Sequence, residues 1–215
     1  MTMTTEDLWR AVATERTTLA DLLETLSEDQ WEHGSLCADW RVRDVVAHVV
    51  LSASAGPGLL LLVSLIRARG NLHRMIRDTA IRHADRTPTA AILGQLRDSI
   101  GQRRTAPGTT PADRLMDLLV HGQDIAIPLG IARPVPVAAA HAALDRVWGT
   151  GMSGCHKTFG GFRLAATDTE WSTGDGPLIE GPATALLLLL TGRPAAREHL
   201  TGDGVTHLLA ADRAG

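Results

Sequence analysis

The chain has 215 residues, 44% of them hydrophobic, and a formal net charge of −3. That apolar content suits a packed core in one large or two small domains and excludes wholesale disorder. Scattered arginines argue against a nucleic-acid surface, and the most apolar run, GPGLLLLVSLIRARG, is too short and too soon interrupted by arginine to span a bilayer.

In chain order, Thr5 opens a helix whose apolar positions Leu8, Val12, Leu19, Leu22, Leu23 and Leu26 recur at helical intervals. Ser27 to Gln30 reads as a capping box before a short turn containing Trp31. After the loop EHGSLCADW a second helix is predicted from Val42, with Val45, Val46, Val49 and Val50 as its stripe and His48 among them. The step Gly56-Pro57-Gly58 is expected to kink or end it, before an apolar segment reaching Arg69. Thr87-Pro88 reads as an N-cap followed by proline at the first helical position, opening a third helix to about Arg103. Thr110-Pro111 repeats that signal for a fourth, and four such helices fit a bundle.

Beyond LGIARPVPV, where Pro134 and Pro136 forbid helix, the composition changes. A helix over about 137–148 precedes the glycine-rich GTGMSGCHKTFGG. FRLAATDTEWST alternates like a half-buried strand, with PLIEG as a candidate partner. PATALLLLLTGRP reads as a short buried helix closed by Gly192, and EHLTGDGVTHLLA as a turn and then a helix. The expected fold class is mainly α: a helical bundle over 1–133, then a small α+β domain over 137–215. Cys37 and Cys155 have no CxxC partner, and the N-terminus lacks the apolar core of a signal peptide, so a reducing cytoplasm is the expected setting.

The fourth helix carries the chemistry. DRLMDLLVHGQDIA places Asp117, His121 and Asp124 at spacings of four and three, along one stripe of an otherwise apolar helix. Asp117 and His121 offer a carboxylate and an imidazole from one turn. His48, on a core-facing segment, could add a third ligand from a facing helix, as bundles do when they build interior metal sites. A solvated polar face or a satisfied core histidine would produce the same pattern, so the residues alone leave three readings open.

Trp31, Ser35-Leu36-Cys37, Trp40 and Val42-Arg43-Asp44-Val45-Val46-Ala47-His48 together resemble the opening of the mycothiol-dependent maleylpyruvate isomerase family. DLLVHGQDIAIPLG is similar to that family's second signature, and GFRLAATDTEWSTGDGPLIEGPATALLLLLTGRP to its small C-terminal domain, so the resemblance covers nearly the whole chain. It implies a DinB-like four-helix bundle followed by an α+β domain. It also implies a divalent metal, by expectation zinc, held by His48, Asp117 and His121, with mycothiol as thiol cosubstrate. One departure stands out: the family's carboxylate ligand is usually glutamate, and Asp117 is one methylene shorter, so either the helix sits closer to the metal or water mediates.

By the same resemblance Arg193 is a catalytic candidate, its guanidinium suited to clamping a substrate carboxylate, though a surface arginine at a helix end would look the same. Asp124 would support a metal-bound histidine or simply occupy the helix surface. Cys37 reads as a packing residue without a nearby base, Trp40 as an anchor for its loop, and Arg43 and Asp44 as fixing the start of the second helix. The implied activity is isomerisation of a maleylpyruvate-type substrate, or thiol S-transfer to an electrophile. The implied partners are a small-molecule substrate and a low-molecular-weight thiol, with no nucleic acid or membrane, in a monomer or homodimer. The competing class is a non-catalytic metal- or ligand-binding protein of the same fold.

Overall fold

The computed structural model describes residues 3–53, 72–105 and 108–212, so the Gly56-Pro57-Gly58 step and the apolar segment to Arg69 lie outside the described residues. The chain divides into two compact units, one spanning Thr5–Arg133 and one formed by the residues from Pro134 on together with Met3 and Thr4.

In the first unit, the helical periodicity of the sequence becomes α1 (Thr5–Glu24), which buries Val12, Leu19, Ala20 and Leu23. A short α2 (Glu28–Glu32) follows. Ser27 Oγ accepts from the Gln30 N–H and the Gln30 side chain accepts from the Ser27 N–H, satisfying two donors that a helix start leaves without partners. Next comes α3 (Val42–Ala53), with Val42, Val45, Val46, Val49 and Val50 buried. The remaining helices are α4 (Leu72–Arg86), α5 (Thr89–Asp98) and α6 (Pro111–Ala126). Helix α6 packs on both α1 and α3, and α5 packs on the same two, so these four close around one core, while α4 lies against α3. Leu115, Leu118, Leu119 and Ile125 of α6 fill that core, each burial contributing about 1.5–3 kcal/mol.

Two departures from the sequence reading have local causes. Helix α5 begins at Thr89 with Pro88 as its cap, so Thr87 does no capping, and it ends at Asp98 short of Arg103. Just past its end, the carbonyls of Ser99 and Gln102 accept from Nη1 of the buried Arg16, at 2.5 and 2.8 Å. Helix α4 has no counterpart in the sequence reading. It is rich in Arg and His, and among its described side chains only Met75, Ala80 and Ala84 are buried, too thin a stripe to stand out. The start of α6 follows the sequence signal: Thr110 Oγ1 accepts from the Asp113 N–H, the Asp113 carboxylate accepts from the Thr110 N–H, and Pro111 occupies the first turn.

The second unit begins with α7 (Val137–Thr150) and a 3-10 turn (Met152–Gly154) leading to α8 (Cys155–Phe159). A sheet of order β2-β1-β3 follows, built from β1 (Arg163–Ala166), β2 (Ser172–Thr173) and β3 (Leu178–Gly181). Leu164 of β1 lies opposite Thr173 in the antiparallel pair and opposite Ile179 in the parallel one. FRLAATDTEWST is therefore two strands with a turn between them. Asp168 is drawn out of the ladder because its Oδ1 accepts from the Ala183 N–H at 2.8 Å, at the start of the buried α9 (Ala183–Leu190). Helix α9 packs on α7, and α10 (Asp203–Asp212) packs on β3. Among the described residues, no helix is long and apolar enough to cross a membrane.

Candidate metal centre

Helix α6 turns the spacings of 114, 117, 121 and 124 into one stripe, and α3, packed beside it, sets His48 opposite that stripe. Asp117 Oδ1 stands 3.3 Å from His48 Nε2 and 3.4 Å from His121 Nε2, and the three donor atoms lie within 4.8 Å of one another. The side chains of His48, Asp117 and His121 are 15%, 22% and 13% exposed, sheltered yet reachable. The other carboxylate oxygen, Asp117 Oδ2, lies 3.4 Å from both Arg114 Nη1 and Ser52 Oγ.

Electrostatics tie the three residues together. Burial alone would raise the Asp117 carboxyl, but the charge of His48 and hydrogen bonds from His121 and His48 hold it well below the usual carboxylate range. Burial alone would lower the His121 imidazolium, yet its hydrogen bonds with Asp117, Asp124 and Cys37 raise it well above an ordinary imidazole.

Behind His121 the arrangement is closed. Asp124 is fully buried, and its Oδ2 accepts from His121 Nδ1 at 2.8 Å, which turns Nε2 toward Asp117. Cys37 Sγ donates to the same Oδ2 at 3.1 Å and lies 3.8 Å from His121 Nδ1. The expectation that Cys37 has no base nearby is thus corrected: the fold supplies an imidazole and a carboxylate from 84 and 87 residues away. Pro128 has no N–H to offer the Asp124 carbonyl four residues before it, and the Leu36 N–H takes that place at 3.0 Å. The same loop, turning through Asp39 at φ +64°, brings Trp40 against the site. The indole stacks on His121 (centroids 6.3 Å apart, planes 16° apart) and tilts against His48 at 5.5 Å, so Trp40 walls the histidines as well as anchoring the loop. On the far side of α6, Gly122 leaves room for Arg133, whose Nη1 would sit 2.6 Å from any Cβ there.

Two imidazoles and a carboxylate converging from two helices form a donor set that divalent transition metals accept. Residues 12–114 match the profile of the mycothiol maleylpyruvate isomerase N-terminal domain. This stretch, just under half of the chain, is similar to that domain family. The match takes in the Ser35–Trp40 loop and His48 and ends at Arg114, so Asp117 and His121 lie just past it within the same helix.

Solved structures resemble the chain over most of its length. A crystal structure of the mycothiol-dependent maleylpyruvate isomerase is 14% identical, with 94% of each chain covered and a TM-score of 0.67. A crystal structure of a mutant of that enzyme, with one histidine changed to alanine, gives 14%, 94% of each chain and 0.64. At this identity the likeness is one of fold. No curated protein matches the chain.

Of the residues singled out in the sequence, His48, Asp117 and His121 come together, with Asp124 directly behind them. Arg193 lies in the second unit, just past α9, half-buried, with its Nη1 donating to the Thr191 carbonyl. Arg114, Ser52 and the contacts of Cys37 and Trp40 were not anticipated. The i,i+3 step from Arg114 to Asp117 was the one trace of them in the sequence.

Proposed function

We propose that this chain is a mycothiol-dependent isomerase of a maleylpyruvate-type unsaturated acid, with a divalent metal, zinc in the first instance, held by His48, Asp117 and His121. One observation carries the reading: a single oxygen, Asp117 Oδ1, stands 3.3 and 3.4 Å from two imidazole nitrogens. Two ligands on a tetrahedral zinc, each bonded at about 2.0–2.1 Å, stand about 3.3 Å apart. That spacing supports direct coordination by Asp117, without a bridging water, despite its missing methylene.

When bound, such a metal supplies Lewis acidity at an open position, where a thiol ionises near neutral pH. The chain's own residues prepare that position. Asp124 accepts a 2.8 Å hydrogen bond from His121 Nδ1 and thereby aims Nε2 inward. Trp40 packs against both imidazoles on one side. Arg193 is proposed to hold a substrate carboxylate through its planar fork, so Arg193→Lys is expected to raise KM more than it lowers kcat.

The test is cis–trans isomerisation of maleylpyruvate by the zinc-loaded protein, with mycothiol added or omitted. Turnover that needs both is the expected result, with the thiol recovered unchanged and both metal and turnover lost in His48→Ala. A stable thiol conjugate as product would move the reading to S-transfer. One equivalent of metal with no thiol chemistry would leave a binding protein.

A further inference from the structure

The two oxygens of Asp117 face different groups. Oδ1 faces the histidine nitrogens, and Oδ2 faces Arg114 Nη1 and Ser52 Oγ, each at 3.4 Å. Arg114 is itself held tightly: Nη1 donates to Ser52 Oγ, Nη2 donates to the Ser52 carbonyl, and the side chain is only 7% exposed. A two-pronged grip on one residue of α3 fixes the guanidinium plane, and the charge of that plane lies beside Oδ2.

We propose that Arg114, oriented by Ser52, is a positioning clamp that makes Asp117 a one-oxygen ligand, presenting Oδ1 and holding Oδ2 back. The inference rests on the metal reading above and deepens it. An aspartate has only χ1 and χ2 to place its carboxylate, and rotation about χ2 exchanges the two oxygens. Left free, the carboxylate would turn either oxygen, or both, toward the cation. The clamp removes that freedom before metal arrives, and because Ser52 belongs to α3 and Asp117 to α6, it also sets the carboxylate relative to His48. An ion pair with a buried, already ordered guanidinium orders the carboxylate at little further entropic loss.

The experiment uses cobalt(II) in place of zinc, because its visible absorption reports coordination number and geometry. The intact chain is compared with Arg114→Lys, which keeps the charge but not the fork, with Ser52→Ala, and with Ser52→Thr, which retains the hydroxyl. Thermal unfolding without metal, run in parallel, separates loss of fold from loss of positioning. Arg114→Lys and Ser52→Ala are expected to melt near the parent, to bind cobalt at least about tenfold more weakly, the scale of outer-shell losses, and to show altered absorption that Ser52→Thr restores. Should Arg114→Lys fail to fold, the Ser52 pair decides alone. Variants with unchanged affinity and absorption overturn the clamp and leave the metal reading standing, whereas a parent chain that takes up no cobalt overturns both.

Discussion

The two nitrogens of His121 look onto different surroundings. At Nδ1, the fully buried Asp124 accepts at 2.8 Å and takes a second hydrogen bond, from Cys37 Sγ, at 3.1 Å. At Nε2, Asp117 Oδ1 stands off at 3.4 Å, with His48 Nε2 at 3.3 Å from the same oxygen. Both sides bring three metal-capable donors within 4.8 Å: Cys37, His121 and Asp124 on one, His48, Asp117 and His121 on the other. Only spacing tells them apart. In the first set His121 and Asp124 close on each other at 2.8 Å, whereas in the second Asp117 Oδ1 stands 3.3 and 3.4 Å from two imidazole nitrogens, the width of ligands around an ion. The closed side of the ring holds, and the open side is the one proposed to bind.

The largest expected effects are on the open side. His48→Ala removes a proposed ligand, and Asp117→Asn keeps the shape of the carboxylate while removing its charge. Metal affinity in either variant, measured by competition with a chromophoric chelator, is expected to fall beyond the roughly 10–100-fold typical of outer-shell changes. Stabilisation by excess metal should disappear with it; at 100 times Kd that stabilisation is about 2.7 kcal/mol. An unchanged stoichiometry in His48→Ala would place the ion elsewhere. Next in size is Asp124→Asn on the closed side, expected to weaken binding by roughly 10–100-fold without changing stoichiometry. A loss as complete as that of His48→Ala would erase the distinction between the two sides.

Much of this frame is visible in the sequence, and the limits of that view are physical. The valine stripe of α3, the Thr110-Pro111 start of α6 and the i,i+4 pair Asp117/His121 are local patterns, and local geometry determines what they become. Asp124 reads in the sequence either as a helix-surface residue or as a support for His121, and the structure buries it fully beneath the ring. Ser52 meets Arg114 across 62 residues and Cys37 meets Asp124 across 87, distances over which periodicity carries no information. Thr87 shows the opposite failure, a valid local signal that goes unused because the helix begins at Thr89. The turn at Asp168 fails likewise, since a carboxylate recruited to the start of α9 outweighs strand alternation.

The third prediction uses protons to separate the sides. His121 is raised above its ordinary value and Asp117 is lowered below its own. In the metal-free protein, the His121 contribution to stability is full below about pH 6.5 and is lost as pH rises through the raised value. The Asp117 contribution is present above about pH 3.8 and is lost as pH falls through the lowered value. A metal must displace the proton from His121, so affinity should climb toward about tenfold per pH unit while that ring is protonated. Metal-free stability and metal affinity should therefore run in opposite directions with pH above about 6.5. Calorimetry in buffers of different ionisation enthalpy should show a proton released on binding. A pH-independent affinity with no release would mean that the imidazole is already neutral and the open side less coupled than its geometry indicates.

The smallest expected effect is at Cys37, where the comparison is tested most finely. A part-exposed thiol beside an imidazole and a carboxylate resembles an activated nucleophile. The geometry argues otherwise. The Nδ1 of His121 is already engaged with Asp124 at 2.8 Å, against 3.8 Å to sulfur, so the imidazole does not serve the thiol as its base. The thiol is the donor, to a carboxylate that has its stronger partner elsewhere. Cys37→Ala should then leave Asp124 and His121 in place, shift stability by no more than about 1 kcal/mol, and alter metal affinity by less than about threefold, well under an outer-shell loss. Thiol-dependent turnover should survive. If Cys37→Ala abolishes turnover while metal content and folding remain intact, the reacting sulfur belongs to the chain, and the closed side of His121 takes part in the chemistry.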